Sequence, residues 1–215
     1  MSKQFVVFDT ETTSVFPKTA VMLSMSMVTC EKNGNELALG PTGRFVDMYF
    51  TPMSEVPESA ARINHLNKAL LKEKSNNRTL SDQYEDIVGI LHPGVNVIGH
   101  NISYDITVVE NNFARNGLPR PTFGEVIDTM KLARKYLKKG KDVIDYKLVT
   151  VFKWCLKKEN MTEEDFIRSY QLTRRIRQFQ KLTVGEPLSM EAHTASYDTY
   201  MTFFVAKVLM STFTE

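Results

Sequence analysis

The chain has 215 residues, of which 42% are hydrophobic, and its formal net charge is only +2. This composition excludes an intrinsically disordered chain and allows one domain with a sizeable core. The near balance of charge argues neither for nor against a nucleic-acid partner. Two cysteines are too few for a disulfide framework, and no stretch has the pattern of a signal peptide or a membrane span. We therefore expect a reduced, soluble, cytoplasmic protein without a membrane partner.

The first part of the chain predicts three strands joined by short turns. These strands are residues 5–11, 21–30 and 44–51. Alternation around Leu23, Met25 and Met27 predicts that the second strand buries one face, and Lys32–Asn35 is a turn signal. The pattern is typical of an antiparallel meander.

The pattern then changes to helices that alternate with short strands. The predicted helices are residues 58–73 (broken near Asn64–His65), 79–91, 103–116, 130–138, 146–157, 162–182 and 192–213, and the predicted strands are 95–98 and 125–127. A meander followed by strand–helix units predicts an α/β protein with a mixed sheet. No linker or repeat divides the sequence, so we expect a single domain over residues 1–215, with a basic helical elaboration at about 158–190.

Two carboxylates follow the apolar run at the start of the chain. Residues 5–8 read Phe-Val-Val-Phe, and Asp9 and Glu11 follow, spaced by one residue. Alternate residues of a strand point to the same face, so the two carboxylates are expected side by side at the end of a buried strand. Each then disfavours ionisation of the other. A divalent cation that prefers oxygen ligands, such as Mg²⁺ or Mn²⁺, would relieve that repulsion.

Two further acidic residues fall near the starts of predicted helices. Asp105 comes after strand 95–98, at the carboxyl end where α/β sheets place their ligands. Asp198 lies in the first turns of the last helix, with His193 five residues before it. Taken singly, each acid is better explained as a carboxylate that the helix dipole favours, and His193 as a histidine beside a helix N-cap.

Together, the four carboxylates and the histidine form the constellation that a two-metal hydrolase needs. Two divalent ions about 4 Å apart clamp the attacking and leaving oxygens of a phosphoryl displacement. Four carboxylates offset the charge of two such ions. A histidine can deprotonate the attacking water because its ordinary pKa is close to working pH.

The residues of this constellation resemble, in order, the three motifs of the DEDD 3′–5′ exonucleases. They are Asp9-Thr10-Glu11-Thr12-Thr13, His100-Asn101 through Tyr104-Asp105, and His193-Thr194-Ala195 through Asp198. The spacing from His193 to Asp198 is similar to that of the DEDDh branch, which includes the proofreading subunit of bacterial DNA polymerase III, RNase T and oligoribonuclease. The resemblance covers nearly the whole chain.

The resemblance implies an RNase H-like fold, which is an α/β arrangement with a mixed five-stranded sheet flanked by helices. It implies that two Mg²⁺ or Mn²⁺ ions are held by four carboxylates and that His193 is the general base. The four metal ligands are Asp9, Glu11, Asp105 and Asp198. The substrate-binding positions are Thr10, Thr12, Val15, Asn64 and His100. Val15 would press on the last base, and Asn64 stands where relatives often have histidine, so its contact with the terminal nucleotide is expected to be lost or altered.

Residues 162–183 form a predicted basic helix that the three motifs do not explain. Its acidic residues lie in the amino-terminal part and its basic residues in the carboxyl-terminal part, as the helix dipole favours. Its basic side chains could track a phosphate backbone, with Tyr170 or Phe179 stacking on bases. Alternatively, the helix is a solvated amphipathic helix, or it binds a second copy or a partner. The basic residues are Arg168, Arg174, Arg175, Arg177 and Lys181, and the packing residues in the amphipathic alternative are Phe166, Ile167, Leu172 and Ile176.

The leading hypothesis is a metal-dependent 3′–5′ exonuclease that removes nucleoside monophosphates from single-stranded ends, with DNA slightly favoured over RNA. The alternatives are a catalytically silent nucleic-acid-binding module of the same fold, an RNA-processing exoribonuclease, and a nuclease of another polarity or an endonuclease. A pure binder gains nothing from concentrated negative charge beside phosphates, which argues against the silent module. A homodimer and a polymerase partner stay open.

Overall fold

The computed structural model describes residues 2–39, 44–172 and 194–213. Within these ranges six strands form one mixed sheet, which helices flank. The strands are β1 Lys3–Thr12, β2 Met22–Asn33, β3 Glu36–Leu39, β4 Phe45–Tyr49, β5 Val95–Gly99 and β6 Phe123–Asp128. The helices are α1 Glu58–Asn64, α2 Lys68–Lys74, α3 Tyr84–Val88, α4 Ser103–Arg115, α5 Thr129–Tyr136, α6 Leu148–Lys158, α7 Glu163–Ser169 and α8 Ala195–Thr212, with a 3₁₀ turn at Ser81–Gln83. The predicted α/β class with a mixed sheet is confirmed.

The sheet places the carboxyl ends of three strands at one edge. The strand order is β3-β2-β1-β5-β6, and β4 pairs with the same edge of β2 as β3 does. β1 is antiparallel to β2 but parallel to β5, and β5 is parallel to β6. Side chains that follow β1, β5 and β6 therefore meet at the same edge, as expected for a ligand site in an α/β sheet.

The sheet has six strands, and the predicted number of five was one too low. The additional strand is β3, which forms a hairpin with the end of β2 through a turn at Gly34, where φ is +58°. Glycine adopts this left-handed conformation at little cost. β3 was missed because its four residues follow a turn signal directly and are too few to show a period of two.

Two hydrophobic cores lie on opposite faces of the sheet. On β1, Phe5 and Val7 point into the core that α5, α6, α7 and α8 cover, whereas Val6 and Phe8 point into the core beneath α3 and α4. Because faces alternate along a strand, Asp9 and Glu11 share the face of α8, and Thr10 shares the face of α4. α8 is buried around most of its circumference, since it packs against β1, β2, β3, β5, α5 and α6.

The predicted basic helix is described only in part. α7 ends at Ser169, and residues 173–193 lie outside the described residues. In the described part, Phe166 and Leu172 are buried, and the Tyr170 ring packs against Phe166 and Phe203 at centroid distances of 5.3 and 5.7 Å. The packing interpretation therefore holds for this part of the segment. Arg174, Arg175, Arg177, Lys181 and Phe179 lie outside it.

The helices that the structure describes include none that is both long enough and apolar enough to cross a membrane.

Candidate active site

Three separate elements bring carboxylates to the carboxyl edge of the sheet. Asp9 and Glu11 are near the end of β1, Asp105 is in the first turn of α4 after β5, and Asp198 is in the first turn of α8. Carboxylate oxygens of Asp9, Glu11 and Asp198 lie within 4.8 Å of one another. The predicted adjacency of Asp9 and Glu11 is therefore observed, and α8 adds the third member of the group.

Asp105 stands beside this group and is held by Thr10. Its Oδ1 atom accepts hydrogen bonds from the backbone N–H of Thr10 at 3.1 Å and from the Thr10 hydroxyl at 2.7 Å. The side chain of Asp105 is buried, with 4% of the residue surface exposed. Thr10 was predicted to meet the terminal nucleotide, and that contact stays a prediction. The structure shows that both of its donors position Asp105.

Burial and mutual repulsion make these carboxylates poor anions in the absence of positive charge. The pKa of Asp9 is raised well above its ordinary value, mainly by burial and then by repulsion from Asp105, Asp198 and Glu11. Burial, then repulsion by Asp198 and Asp105, raises the pKa of Glu11 to about 9. Burial raises the pKa of Asp105 to about 7, although the two hydrogen bonds from Thr10 favour its charged form. A cluster so disfavoured as anions is suited to a bound cation.

A fifth acid, Asp47, faces the same region and was missed by sequence reasoning. Asp47 on β4 pairs with Ser26 on β2, which pairs with Asp9 on β1, so the three lie in one row across the sheet. Repulsion by Asp47 contributes to the raised pKa of Glu11. The hydroxyl of Tyr49 donates to its Oδ2 atom at 3.1 Å. The sequence signal was an acidic residue inside an otherwise apolar strand.

The loop after β1 is fixed from two sides and exposes an apolar tip. The hydroxyl oxygens of Thr12 and Tyr104 lie 2.6 Å apart, and each lies within hydrogen-bonding distance of the Ser14 carbonyl, so their two protons link the three oxygens. The side-chain amide of Asn64 donates to the Thr12 carbonyl at 3.2 Å. Val15, predicted to meet the last base, is 77% exposed.

Asn64 and His100, both predicted to contact substrate, are bound to other parts of the protein. Asn64 is 4% exposed, and its Oδ1 accepts the Leu66 N–H in addition to the bond that its amide makes. Both ring nitrogens of His100 have partners at 2.8 Å: Nδ1 contacts the Thr129 hydroxyl and Nε2 contacts the Tyr146 carbonyl. Direct substrate contact stays a prediction for both residues.

The burial and the hydrogen bonds of His100 together favour one protonation state of its ring. Burial lowers the pKa of this ring, which favours the neutral form. Because a carbonyl only accepts, Nε2 carries the proton toward Tyr146 and Nδ1 accepts from Thr129. His100 thus ties the end of β5 to the segment before α6. His193, the predicted general base, lies outside the described residues, which resume at Thr194, the N-cap residue of α8.

The electrostatics of the cluster predict that the metal-free protein loses stability as the pH rises. The folded chain keeps protons on Asp105 and Glu11 up to about pH 7 and 9, whereas the unfolded chain releases them near pH 4. Stability from this source is therefore complete at low pH and is lost as the pH rises through the raised pKa values. For each extra proton that the folded chain holds, the free energy of unfolding falls by about 1.4 kcal/mol when the pH rises by one unit. In EDTA, we expect Tm to fall between about pH 6.5 and 8.5. The fall should be roughly 3–6 °C per pH unit for each extra proton that the folded chain holds.

Saturating Mg²⁺ and the variant Asp9→Asn are the controls for this melting series. Bound Mg²⁺ reduces the repulsion, and Asp9→Asn removes a carboxyl group whose own pKa is raised, so both are expected to flatten the profile. Most of the chosen window lies above the range in which the lowered pKa of His100 affects stability, because an unfolded histidine is largely neutral above about pH 7. A flat profile in EDTA, or an unchanged slope in Asp9→Asn, would contradict the prediction.

The fold and the site define a class, namely α/β proteins with a cluster of carboxylates at the carboxyl edge of a mixed sheet. Residues 6–205 match the model of the RNase T family, which is described as exonuclease. The chain belongs to this exonuclease family. It is a 3′–5′ exonuclease of the DEDD type in the RNase H-like superfamily, which confirms the predicted family and enzyme class. The family implies the use of divalent metal ions, and the described residues include an acidic cluster.

Comparison with solved structures confirms the RNase H-like α/β fold. Exonuclease X in complex with 5′-overhanging duplex DNA is 20% identical, with a TM-score of 0.57 over 97% of this chain and 92% of that chain. E. coli exonuclease I in complex with a dT13 oligonucleotide is 14% identical, with a TM-score of 0.66 over 99% of this chain and 41% of that chain. The zinc-bound form of the E. coli exonuclease I complex with single-stranded DNA is 16% identical, with a TM-score of 0.63 over the same shares. This chain thus spans about two fifths of the length of exonuclease I.

A search of curated proteins found no match.

Proposed function

We propose that this protein removes nucleoside monophosphates from the 3′ end of single-stranded DNA, using two divalent ions and a histidine general base. The observation that carries this proposal is the meeting of Asp9, Glu11 and Asp198 within 4.8 Å. Asp105 is fixed beside them by its two hydrogen bonds from Thr10. Three separate elements thus bring carboxyl groups to one edge of the sheet, where a bound cation would favour their charged forms.

The donor set fits Mg²⁺ or Mn²⁺. All four proposed ligands are carboxylates, and hard oxygen ligands suit these ions. Asp9, Glu11 and Asp198 would hold one ion, and Asp105 would help to hold the second. When bound, such ions supply Lewis-acid stabilisation of the phosphate and a water of lowered pKa. Two ions also fit a cluster of four acids better than one ion does, because the charges of two divalent ions balance those of four carboxylates.

His193 is the residue proposed to take the proton from the attacking water. It precedes Thr194, the N-cap residue of the helix that carries Asp198. A neutral imidazole with an ordinary pKa near 6.5 accepts a proton readily at working pH. His100 is unsuited to this role, since both of its ring nitrogens are engaged within the protein.

The exposed loop after β1 is proposed to receive the terminal nucleotide. Val15 offers an apolar surface for a base face, close in sequence to Asp9 and Glu11. An unpaired base can meet such a side chain without first leaving a duplex stack, which favours single-stranded ends. The choice of DNA is supported by exonuclease X and exonuclease I, whose structures are complexes with DNA.

The test is digestion of 5′-end-labelled single-stranded DNA and RNA of one sequence with Mg²⁺, Mn²⁺ or EDTA. We expect a ladder that shortens from the 3′ end, faster for DNA than for RNA and absent in EDTA. Immediate release of the labelled nucleotide would indicate the opposite polarity, and discrete internal products would indicate an endonuclease. Faster degradation of RNA would favour the exoribonuclease. No degradation of either substrate would favour the silent binding module.

A further inference from the structure

A groove of about 590 Å³ runs along the outer face of α6. Four lysines line it, together with the side chains of Ile144 and Trp154. The lysines are Lys141, Lys153, Lys157 and Lys158. None of these residues belongs to the carboxylate cluster, and the chemistry proposed above does not use them.

The sequence of α6 separates a buried face from this basic face. Phe152 and Cys155 are buried in the core that α8 shares, whereas Lys153 and Lys157 are exposed one turn apart. Like charges at this spacing repel each other. The helix dipole explains lysines at the end of α6, such as Lys157 and Lys158, but it does not explain Lys153.

The charge of the groove is not neutralised by the protein around it. In the part of the chain that the structure describes, no carboxylate forms an ion pair with any of the four lysines. Asp142 also lines the groove, and its Oδ2 accepts the backbone N–H of Lys138 at 2.7 Å. The groove therefore keeps an excess of positive charge that an anionic ligand would neutralise.

The apolar residues of the groove favour a nucleic-acid strand over a simple anion. Ile144 is 79% exposed, and Trp154 is half-buried, with its ring stacked on Phe213 at a centroid distance of 6.3 Å. Lysine ammonium groups bind phosphates, and an aromatic ring gives a base a surface on which to stack. Both features are needed by a protein that holds a single strand without reading its sequence.

The segment before α6 lies at the carboxyl edge of the sheet, because the Tyr146 carbonyl contacts His100, which follows β5. Phe152, the neighbour of Lys153, packs against Tyr197 of α8 at a centroid distance of 6.4 Å, and Tyr197 precedes Asp198. α6 also lies on the face of the sheet to which Asp9 and Glu11 point. From Thr150 to Lys158 the helix rises about 12 Å, away from the segment that His100 contacts.

We propose that this groove holds the phosphates of the substrate strand behind its 3′-terminal nucleotides, with Trp154 against a base. The inference rests on the proposed function, because the strand in the groove is the strand whose end enters the carboxylate cluster. Long strands then gain affinity from the groove, whereas a dinucleotide reaches only the cluster. The lysines act on binding and leave the chemical step unchanged.

The test compares two double variants of the full chain, each in an Asp9→Asn background that is expected to cleave at least about a hundredfold more slowly. Lys153→Ser with Lys157→Ser removes two charges from the groove. Lys32→Ser with Arg44→Ser removes the same charge near the amino end of β1, where Lys32 lies opposite Lys3. Fluorescence anisotropy measures the affinity of each variant for labelled single-stranded DNA of about twelve nucleotides and for a dinucleotide, over a range of salt concentrations.

The groove variant is expected to bind the long strand about tenfold more weakly, with the dinucleotide unaffected. The slope of log affinity against log salt should fall by about 1.4, or about 0.7 for each lost phosphate contact. In chains that retain Asp9, the same lysine substitutions should leave the rate of dinucleotide hydrolysis unchanged.

Equal affinity and equal salt slope in the two double variants would overturn the proposal. Loss of binding to a polyglutamate peptide, with strand affinity retained, would overturn it in favour of an acidic protein partner. The proposed function fails by a different result, which is the absence of DNA and RNA cleavage by the unsubstituted chain. The anisotropy measurement still decides the role of the groove in that case, because it requires no cleavage.

Discussion

Replacing Asp9 with asparagine is expected to lower the rate of cleavage at least about a hundredfold, the equivalent of about 3 kcal/mol of transition-state stabilisation. Asp9 is at the centre of the cluster, since Asp105, Asp198 and Glu11 all raise its pKa. The amide keeps the shape of the side chain but removes the charge that a divalent ion requires. The measurement is kcat/KM on a labelled single strand, together with calorimetric titration of Mn²⁺, for which we expect weaker binding.

The matched control for this variant is Asp86→Asn. Asp86 is an exposed carboxylate that pairs with Arg78 at 2.9 Å, so its replacement changes the net charge equally without touching the site. We expect its rate to stay within about twofold of the unsubstituted chain, because surface ion pairs contribute little. An Asp9→Asn variant that cleaves at the full rate would show that the carboxylate cluster is not the active site.

Replacing His193 with glutamine is expected to lower kcat by about 10²–10⁴-fold, the usual contribution of a general base. The unsubstituted enzyme should lose activity as the pH falls through the range near 6.5, where a histidine of ordinary pKa becomes protonated. In His193→Gln this acid limb should disappear from the residual activity. The measurement is the pH dependence of kcat at saturating Mg²⁺.

His92→Gln serves as the control because His92 is exposed and lies outside the cluster. Its pH profile should match that of the unsubstituted enzyme. Varying the Mg²⁺ concentration shows whether the acid limb of the pH profile is caused by a histidine or by the carboxylates. A limb caused by deprotonation of Asp9 or Glu11 moves to lower pH as Mg²⁺ increases, whereas a histidine limb does not. Equal rates in His193→Gln and His92→Gln would exclude His193 as the base.

The sequence predicted the elements that have strong periodic signals. β1, β5 and α4 were predicted within a few residues, because each is an apolar run of the length and period that its structure requires. The short strand β3 was missed, and the helix predicted over 79–91 is a 3₁₀ turn followed by α3. Short elements depend on the strands and helices packed against them, so their own residues carry little signal.

For the candidate site, the sequence predicted four carboxylates but not the contacts that position them. The meeting of Asp9 and Glu11 follows from alternation along one strand, and Asp105 and Asp198 followed from motif order. The bond from Thr10 to Asp105 joins residues 95 positions apart, and no local pattern indicates it. Asp47 also came from a separate strand. The division of the chain into domains and the role of His193 stay predictions.

By itself, the sequence determined the α/β class, the alternation that puts Asp9 and Glu11 on one face, and the order of the exonuclease motifs. These properties are local, because backbone geometry sets the period of each strand and helix whatever surrounds it. Only the tertiary structure decided that Asp198 completes a cluster with them, that Asp105 is held by Thr10, and that Asn64 and His100 are bound within the protein. Those contacts depend on how distant segments pack, and packing is governed by the burial of whole faces, which no short stretch of sequence contains.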